Sequence, residues 1–270
     1  MTAGLGLERR HWATDPSALL SQLDTSFARD YNYPRAFAGA VWANPQRPAL
    51  SISPEDGVSL AVTARERVRA GAASSTASLS VVATTAGYKS LDLPGFAHHV
   101  LALRVAGGWA DRKSATALEV GGTSGSTVEI IPSYTVGEGR RTFGVRGFES
   151  GAVYGTRALA GSLEYRAPLV LGGRGLGLLP FFFDRSSLTA FADAGVATCA
   201  ANPLYASICS PSPLIGRAIA SAGAELGISA AILEWDAPQA IRVGVAAPVV
   251  GRAMTGASAL SAYVAFGLSY

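Results

Sequence analysis

One arginine and two acidic residues that follow it are the side chains of this sequence best suited to a specific chemical role. They lie in two short motifs and one alternating segment, Val145-Arg146-Gly147-Phe148, Glu164 and Phe191-x-Asp193-x-Gly195. A guanidinium remains charged and offers a rigid fork of donors that matches a carboxylate, which lysine does not reproduce. Asp193 and Glu164 are therefore the candidate carboxylate partners of Arg146. Gly144 and Gly147 would allow the chain to turn sharply beside the arginine.

The remaining candidates for chemistry do not form a catalytic or metal-binding set. His98 and His99 are adjacent and His11 is isolated, so the sequence lacks metal-ligand spacing. The glycine-rich run 172–177 leads into Leu-Leu-Pro rather than a helix, which removes the dipole that phosphate sites use. Basic residues are scattered rather than clustered. We therefore predict no enzymatic activity, no cofactor, no metal and no nucleic-acid partner.

The composition favours a membrane protein that spans the bilayer with β-strands rather than helices. Of the 270 residues, 49% are hydrophobic and only 15% are charged, below the roughly 25% charge of ordinary soluble domains. A spanning helix needs about 20 mostly apolar residues, and the long uncharged runs are interrupted by Ser, Thr or Pro. A closed β-barrel is the other structure that satisfies all backbone groups in a bilayer.

The period-two pattern supports strands of this kind. In 100–110, Leu101, Leu103 and Trp109 share one face while Ala102 and Arg104 share the other. In 157–171, Glu164 and Arg166 likewise share the face opposite Leu159 and Leu163. The last residues place four apolar or aromatic side chains on one face, as in the terminal strand of an outer-membrane protein: Val264, Phe266, Leu268 and Tyr270.

From this pattern we predict an all-β fold with about ten antiparallel strands. The predicted strands are 33–43, 46–54, 57–69, 77–91, 96–110, 156–171, 186–198, 218–233, 239–250 and 259–270. A connection of about 112–156 is far longer than an ordinary loop, which indicates a functional segment. The predicted organisation is an N-terminal segment 1–32 without an assigned structure, followed by a barrel domain, 33–270.

The ordered motifs resemble the C-terminal membrane barrel of the outer-membrane assembly and secretion superfamily, the bacterial surface antigen family. The resemblance is carried by Val145-Arg146-Gly147-Phe148, by the later Glu164-Tyr165-Arg166-x-Pro168-Leu169, by Phe191-x-Asp193-x-Gly195 and by the terminal aromatic. It implies that the long loop folds back into the lumen, where Arg146 pairs with acids of the inner wall, Asp193 first and Glu164 second. Phe191 would point inward and pack on the loop.

The resemblance also implies a role and a location. It predicts a bacterial outer-membrane barrel that inserts or translocates polypeptides or lipids, with membrane lipid and client chains as partners. The superfamily barrel has sixteen strands preceded by periplasmic repeats, so this chain would correspond to the last two-thirds of a barrel. An edge near 33–43 would then need a partner, supplied by missing upstream strands.

Several alternatives remain open on the sequence alone. If the motif match were accidental, Arg146 would be a solvent-exposed residue of an extracellular loop, and Asp193 would line a water-filled pore. The chain would be a passive pore or an anchor for a fused module, or a soluble all-β binding protein. Cys199 and Cys209 would form a loop disulfide in an oxidising compartment, or remain as two thiols.

The amino terminus lacks the apolar core of a secretory signal, because Glu8, Arg9 and Arg10 interrupt it. An outer-membrane protein requires such a signal. We therefore expect this chain to be the C-terminal part of a longer product, or its start to be assigned too late.

Overall fold

The structure is a computed structural model in which most of the chain is described. The described residues are 1–10, 31–68, 77–111, 118–123, 128–131, 134–136, 141–175, 181–198, 218–232 and 239–268. Cys199, Cys209 and Tyr270, named above as candidates, lie outside these ranges.

The described chain is almost entirely β-structure. Ten long strands are β1 (Thr2–Arg10), β2 (Tyr31–Ala43), β3 (Gly57–Val68), β4 (Ala77–Leu91), β5 (His99–Ala110), β11 (Arg157–Gly175), β12 (Phe181–Thr198), β13 (Ala218–Ile232), β14 (Gln239–Val250) and β15 (Ser261–Leu268). Between β5 and β11 lie the short strands β6 (Leu118–Val120), β7 (Val128–Ile131), β8 (Tyr134–Val136), β9 (Arg141–Phe143) and β10 (Val153–Gly155). One helical turn, α1 (Arg252–Thr255), joins β14 to β15.

The ten long strands form one antiparallel sheet in the order β1-β2-β3-β4-β5-β11-β12-β13-β14-β15. Sequential neighbours pair throughout, and the long loop leaves β5 and β11 adjacent. The all-β antiparallel prediction is confirmed. No helix within the described ranges has the length and apolar composition needed to cross a membrane.

The two faces of this sheet differ in chemistry, as the period-two pattern predicted. We call the face that carries the long loop the covered face, and the opposite one the exposed face. On β5, Leu103 is 52% exposed whereas its neighbour Ala102 is fully buried. On β11, Leu159 and Leu163 lie on the exposed face, while Glu164 is buried on the covered face. Side chains alternate because successive residues of a strand point to opposite sides.

The two ends of the sheet also differ. The links 44–56 and 92–98 lie at one end, which we call the turn end. The link 251–260 lies at the other, the loop end, together with Ala110 and Arg157, the strand residues between which the long loop runs. The long loop therefore rises from the loop end before it folds over the covered face.

Two predicted features are wrong. Residues 46–54 are not a strand but a turn-rich link, because Pro48 and Pro54 cannot donate ladder hydrogen bonds. The tenth strand is β1, inside the segment that had no predicted structure. As a result, β2 is paired on both sides and the sheet edge is at Thr2–Arg10 rather than near 33–43.

Glycines concealed β1 from the pattern. Gly4 and Gly6 occupy the covered face, where a Cβ on Gly4 would lie 2.7 Å from the Phe37 ring. Glycine is weak in strand propensity but permits this close approach. Leu5 and Leu7 occupy the exposed face. The alternation is therefore present, but only its apolar half appears in the sequence because the covered-face positions are glycines.

The loop is fastened to the sheet by an apolar core. The buried cluster combines loop and sheet residues: Leu118, Val120, Phe143, Val145, Phe148, Val153, Ala158, Ala160, Ala197 and Ile219. Strand β6 is central to it, pairing with β10 antiparallel and with β9 in parallel. Small alanines on β11 and β12 leave room for the larger loop side chains.

This core yields a direct prediction about stability. Leu118→Ala should lower the free energy of unfolding by about 2 to 5 kcal/mol, because it removes a fully buried side chain and leaves a cavity. The matched control is Leu163→Ala on the exposed face, with an expected loss below about 1 kcal/mol. Denaturant titration measures both, and equal losses would contradict a loop packed on the sheet.

Candidate functional site

The loop delivers Arg146 to the covered face through a short backbone scaffold. Gly121 N donates to Phe143 O (2.9 Å), and Gly122 N donates to Phe148 O (3.1 Å). An isolated bridge also joins Gly122 to Val145. These bonds hold the two arms of the turn together, so the arginine is presented from a fixed backbone rather than from an open coil.

Gly147 is required at this turn, whereas Gly144 is not special. Gly147 has a φ of 90°, in the left-handed region, and Gly144 has no such angle. A Cβ on Gly147 would also lie 3.0 Å from the Cβ of Ala246 on β14. Ser261 Oγ on β15 donates to Gly147 O at 3.1 Å. The turn therefore touches the last two strands of the sheet as well as β12.

Arg146 is buried, with 4% of its surface exposed, and grips Asp193 by three hydrogen bonds. Its Nε and Nη2 donate to the two oxygens of Asp193 at 2.7 Å each, and its backbone N donates to Oδ2 at 3.0 Å. The fork and the carboxylate thus match in the two-bond arrangement that gives arginine its specificity. The structure brings together the pair that the motifs predicted.

Glu164 and Ser162 complete the contacts of the same guanidinium group. Nη2 of Arg146 donates to Glu164 Oε1 at 2.9 Å and to Ser162 Oγ at 2.8 Å. Its Nη1 lies 3.8 Å from Glu225 Oε2. The carbon at the centre of the guanidinium is 3.5 Å from the centroid of the Phe191 ring, a cation–π contact. We call Arg146, Ser162, Glu164, Phe191, Asp193 and Glu225 the Arg146 cluster.

Strand register explains why these side chains meet. Ser162 on β11 is the partner of Asp193 on β12, and Glu164 is the partner of Phe191. Phe191 and Asp193 are two residues apart, so both face the loop. Glu225 on β13 opposes Thr189, the next covered-face position of β12. Three neighbouring strands therefore place their acidic residues within reach of one arginine.

Two glycines open the space that the cluster occupies. A Cβ on Gly195 would lie 2.5 Å from Val120 and 2.9 Å from Val145, so this position allows the loop to approach β12. A Cβ on Gly223 would lie 2.6 Å from the Phe191 ring. Of the predicted site residues, Val145 and Phe148 are buried in the apolar core beside the arginine.

Glu164 is bound by further guanidinium groups, which sequence reasoning missed. Arg166 donates to Glu164 Oε2 from Nη2 (2.6 Å) and Nε (2.9 Å), and Arg104 Nη2 reaches Oε1 at 3.3 Å. Within the described residues, the cation in contact with Asp193 is Arg146 alone. Glu164 is thus held by several guanidinium groups, while Asp193 relies on the loop.

Glu225 was not identified from the sequence as part of this site. Tyr263 OH donates to Glu225 at 2.9 Å, and Arg242 Nη1 lies 3.8 Å from its Oε1. The available signal was parity: Glu225, Arg242 and Tyr263 all fall on the covered face of consecutive strands. Register between strands is needed to use that signal, and register is not visible in one sequence.

The predicted terminal-strand residues lie on β15 and are not part of the Arg146 cluster. Val264 is on the exposed face of β15 and pairs with Val243 on β14. Phe266 and Leu268 continue the same strand, opposite Ile241 and Gln239. In the described part of the chain, no group of three or more His, Cys, Asp or Glu side chains has metal-binding geometry.

The sequence matches no family model. No curated protein matches it either.

The arrangement is a buried cluster of ion pairs and hydrogen bonds that joins the loop to the sheet. The cluster holds three carboxylates, and each is hydrogen-bonded or paired. Breaking a buried pair by removing one partner costs about 3 to 5 kcal/mol, because the other charge is left uncompensated. The position of the loop tip therefore depends on the positions of β11, β12 and β13, whose side chains hold Arg146.

The first prediction for the cluster concerns coupling. Arg146→Ala and Asp193→Ala should each lower the free energy of unfolding by about 3 to 5 kcal/mol, since each strands a buried charge. The double variant should lose much less than the sum, by a coupling of about 1 to 3 kcal/mol. Denaturant titration of all four proteins measures this, and strictly additive losses would contradict this pairing.

The second prediction concerns the unequal support of the two acids. In an Arg146→Ala background, Asp193→Asn should recover part of the lost stability, because it removes the charge that has lost its cation. Glu164→Gln should recover nothing, because Glu164 keeps Arg166 and Arg104 and its loss would strand them. Equal recovery by both changes would show that Arg146 is not the particular counter-ion of Asp193.

Proposed function

We propose that this chain forms an outer-membrane β-barrel domain that acts in the insertion or translocation of polypeptides or lipids, with the Arg146 loop locked to the inner wall. The observation that carries the proposal is the combination of a buried Arg146 on a charged face with an apolar opposite face. The covered face would be the lumen wall and the exposed face would meet lipid.

The exposed face has the chemistry and the height expected of a lipid contact. Leu101, Leu103 and Trp109 on β5 continue into Leu159 and Leu163 on β11, all exposed. From Leu101 to Trp109 the strand rises about 27 Å, at about 3.4 Å per residue. With a tilt of about 40°, that becomes about 20 Å along the membrane normal, close to the roughly 25 Å apolar band of such barrels. In water, so large an apolar face would favour aggregation.

The two edges of the sheet are compatible with closure. Strand β1 runs from the turn end to the loop end and β15 runs back, so the two edges are antiparallel to each other. Unpaired amides in hydrocarbon cost several kcal/mol each, so both edges require partners in a bilayer. Pairing of β1 with β15 would close ten strands, whereas upstream strands would complete the sixteen that the resemblance implies.

Contacts across the covered face support a strongly curved sheet. Arg185 on β12 donates to Ser51 O in the link between β2 and β3 at 2.6 Å. In the sheet order, β4, β5 and β11 lie between β3 and β12. The loop turn likewise contacts β11 through Ser162 and β15 through Ser261.

The functional part of the proposal comes from the motif order. An arginine in Val-Arg-Gly-Phe, bound by the aspartate of Phe-x-Asp-x-Gly, is the arrangement that the assembly and secretion superfamily would place in the lumen. A passive pore or a membrane anchor for a fused module is the second candidate. The Arg146–Asp193 pair would serve either role. Only activity on a client protein or lipid distinguishes the two.

A charge placed on the exposed face tests the membrane location. Leu103→Arg should reduce the free energy of folding into phospholipid vesicles by about 2 to 4 kcal/mol, because the side chain would lie near the bilayer midplane. The control is Leu260→Arg, in the link at the loop end, where the exposed leucine should tolerate the charge. Folding of both variants in plain buffer without detergent would instead indicate a soluble β-protein.

Client folding tests the activity. Vesicles that contain the folded chain should accelerate insertion of an unfolded eight-stranded outer-membrane barrel, and Arg146→Ala should reduce that acceleration. Planar-bilayer conductance is measured in parallel. Conductance without any acceleration would favour the passive pore, and neither signal from a folded, inserted protein would favour the anchor.

A further inference from the structure

The link between β2 and β3 is a second inward-folded segment, at the opposite end of the sheet from the Arg146 loop. It runs from residue 44 to residue 56, much longer than the two to five residues that join most hairpins. Its base is closed: Gln46 N donates to Asp56 O (2.7 Å), and Glu55 N donates to Gln46 O (3.0 Å). The residues between form a compact excursion rather than an open loop.

The tip of this excursion crosses the covered face. Ser51 is 6% exposed, although it lies in a surface link. Arg185 Nη1 on β12 donates to Ser51 O (2.6 Å) and Ala49 O (3.5 Å). Asp184 Oδ2 accepts from Arg185 Nε at 2.7 Å, which fixes the direction of the guanidinium. The contact spans the width of three intervening strands.

A second contact ties the same link to the next one at the turn end. Glu55, 4% exposed, lies 2.7 Å from His98 Nδ1 in the link between β4 and β5. In the described part of the chain, the charged groups that face His98 are Glu55, Asp92 (3.7 Å from Nε2) and Asp56. Asp56 is itself bound by Lys89 at 2.9 Å. The hydrogen bond and charge of Glu55 raise the pKa of His98, so the imidazolium form is favoured in this position.

These contacts are polar, and they surround a cavity. A space of about 410 Å³ lies between the two links, bordered by Leu50 and Glu55 on one side and Phe96 and His98 on the other. Ser51 Oγ is buried and has no hydrogen-bond partner in the described part of the chain. The Arg146 loop, by contrast, is fastened by an apolar core. The link 44–56 can therefore move away from β12 and His98 without exposing an apolar core.

Repulsion between Arg47 and nearby arginines disfavours this position of the link. Burial lowers the pKa of Arg47, and the nearby guanidinium groups of Arg185 and Arg166 lower it further. Charges of one sign brought together repel each other. The link in this position therefore combines two attractive contacts with one repulsion between like charges.

We propose that residues 44–56 form a strap that closes the turn end of the lumen, latched by Arg185 and by the Glu55–His98 pair, and that it opens when a latch is lost. The strap would control passage at the end opposite the Arg146 loop. This inference rests on the proposed barrel, because only a closed sheet has a lumen to close. Deprotonation of His98 removes the attraction of opposite charges, so the latch is complete below about pH 6.5 and weakens as pH rises through the raised pKa of His98.

Thiol accessibility in detergent micelles tests the latch. In a background with Cys199→Ser and Cys209→Ser, Ser51→Cys should react slowly with a maleimide. Arg185→Ala should accelerate that reaction at least tenfold, whereas Arg47→Gln should slow it by removing the repulsion. The matched controls are Leu50→Cys, which should react quickly in every background, and Arg252→Ala, an exposed arginine of α1 that should change nothing.

The pH dependence supplies a second readout. The ratio of the Ser51→Cys rate to the Leu50→Cys rate divides out the increase in thiolate with pH that the two cysteines share, and the His98→Gln variant controls for the remaining difference in thiol ionisation. That ratio should rise severalfold from pH 6 to pH 8.5, and His98→Gln should abolish the rise. An unchanged Ser51→Cys rate in Arg185→Ala, or a ratio that does not vary with pH in the parent protein, would overturn the proposal for that latch.

Shortening the strap tests the closure itself. Because Gln46 and Asp56 already form a bridge, residues 47–55 can be replaced by Asn-Gly, which makes a two-residue hairpin. Planar-bilayer conductance of this variant should exceed that of the parent severalfold, and unchanged conductance would overturn closure. Heat-dependent electrophoretic mobility is recorded for both proteins. If the parent shows no folded barrel band, the proposed function fails; if both show it and conductance is equal, only the strap fails.

Discussion

The rest of the structure depends on one buried contact, the two-bond pairing of the Arg146 guanidinium with the Asp193 carboxylate. A charged side chain that is almost fully removed from water is stable only when its partner is fixed in place. The surrounding residues meet that requirement in different ways. Gly147 permits the turn, Gly195 lets the loop approach β12, and Phe191 covers the face of the guanidinium.

The loop and the sheet are joined by two kinds of interaction with different consequences. The apolar core around Leu118 and Val120 favours the folded-back position without specifying it closely, because hydrophobic burial is non-directional. The hydrogen bonds of Arg146 select one position, because the donors of a guanidinium are rigid. Glu164 and Glu225 remain close to other arginines, so the loop contributes most to Asp193. The strap at the turn end has directional contacts without a comparable core.

A large share of this architecture was readable from the residues. Alternation along β5 and β11 predicted which face would be apolar, and the structure places Leu103 and Ala102 accordingly. The motif order predicted that Arg146 would meet Asp193 and Glu164. The pattern failed where glycine replaces a side chain, as in β1, and where prolines interrupt an otherwise strand-like run, as in 46–54. Glu225 and Arg242 were missed because their neighbours are set by register between strands.

The sequence by itself determined the local rules: the period of two that separates an apolar from a charged face, the charge of Arg146, and the glycine that its turn requires. These follow from covalent geometry and side-chain chemistry, which act within a few residues. Only the tertiary structure decided which acids share the arginine, that Thr2–Arg10 forms an edge, and that Ser51 reaches Arg185. Such contacts join residues far apart in the chain, and they depend on strand register and on the curvature of the whole sheet.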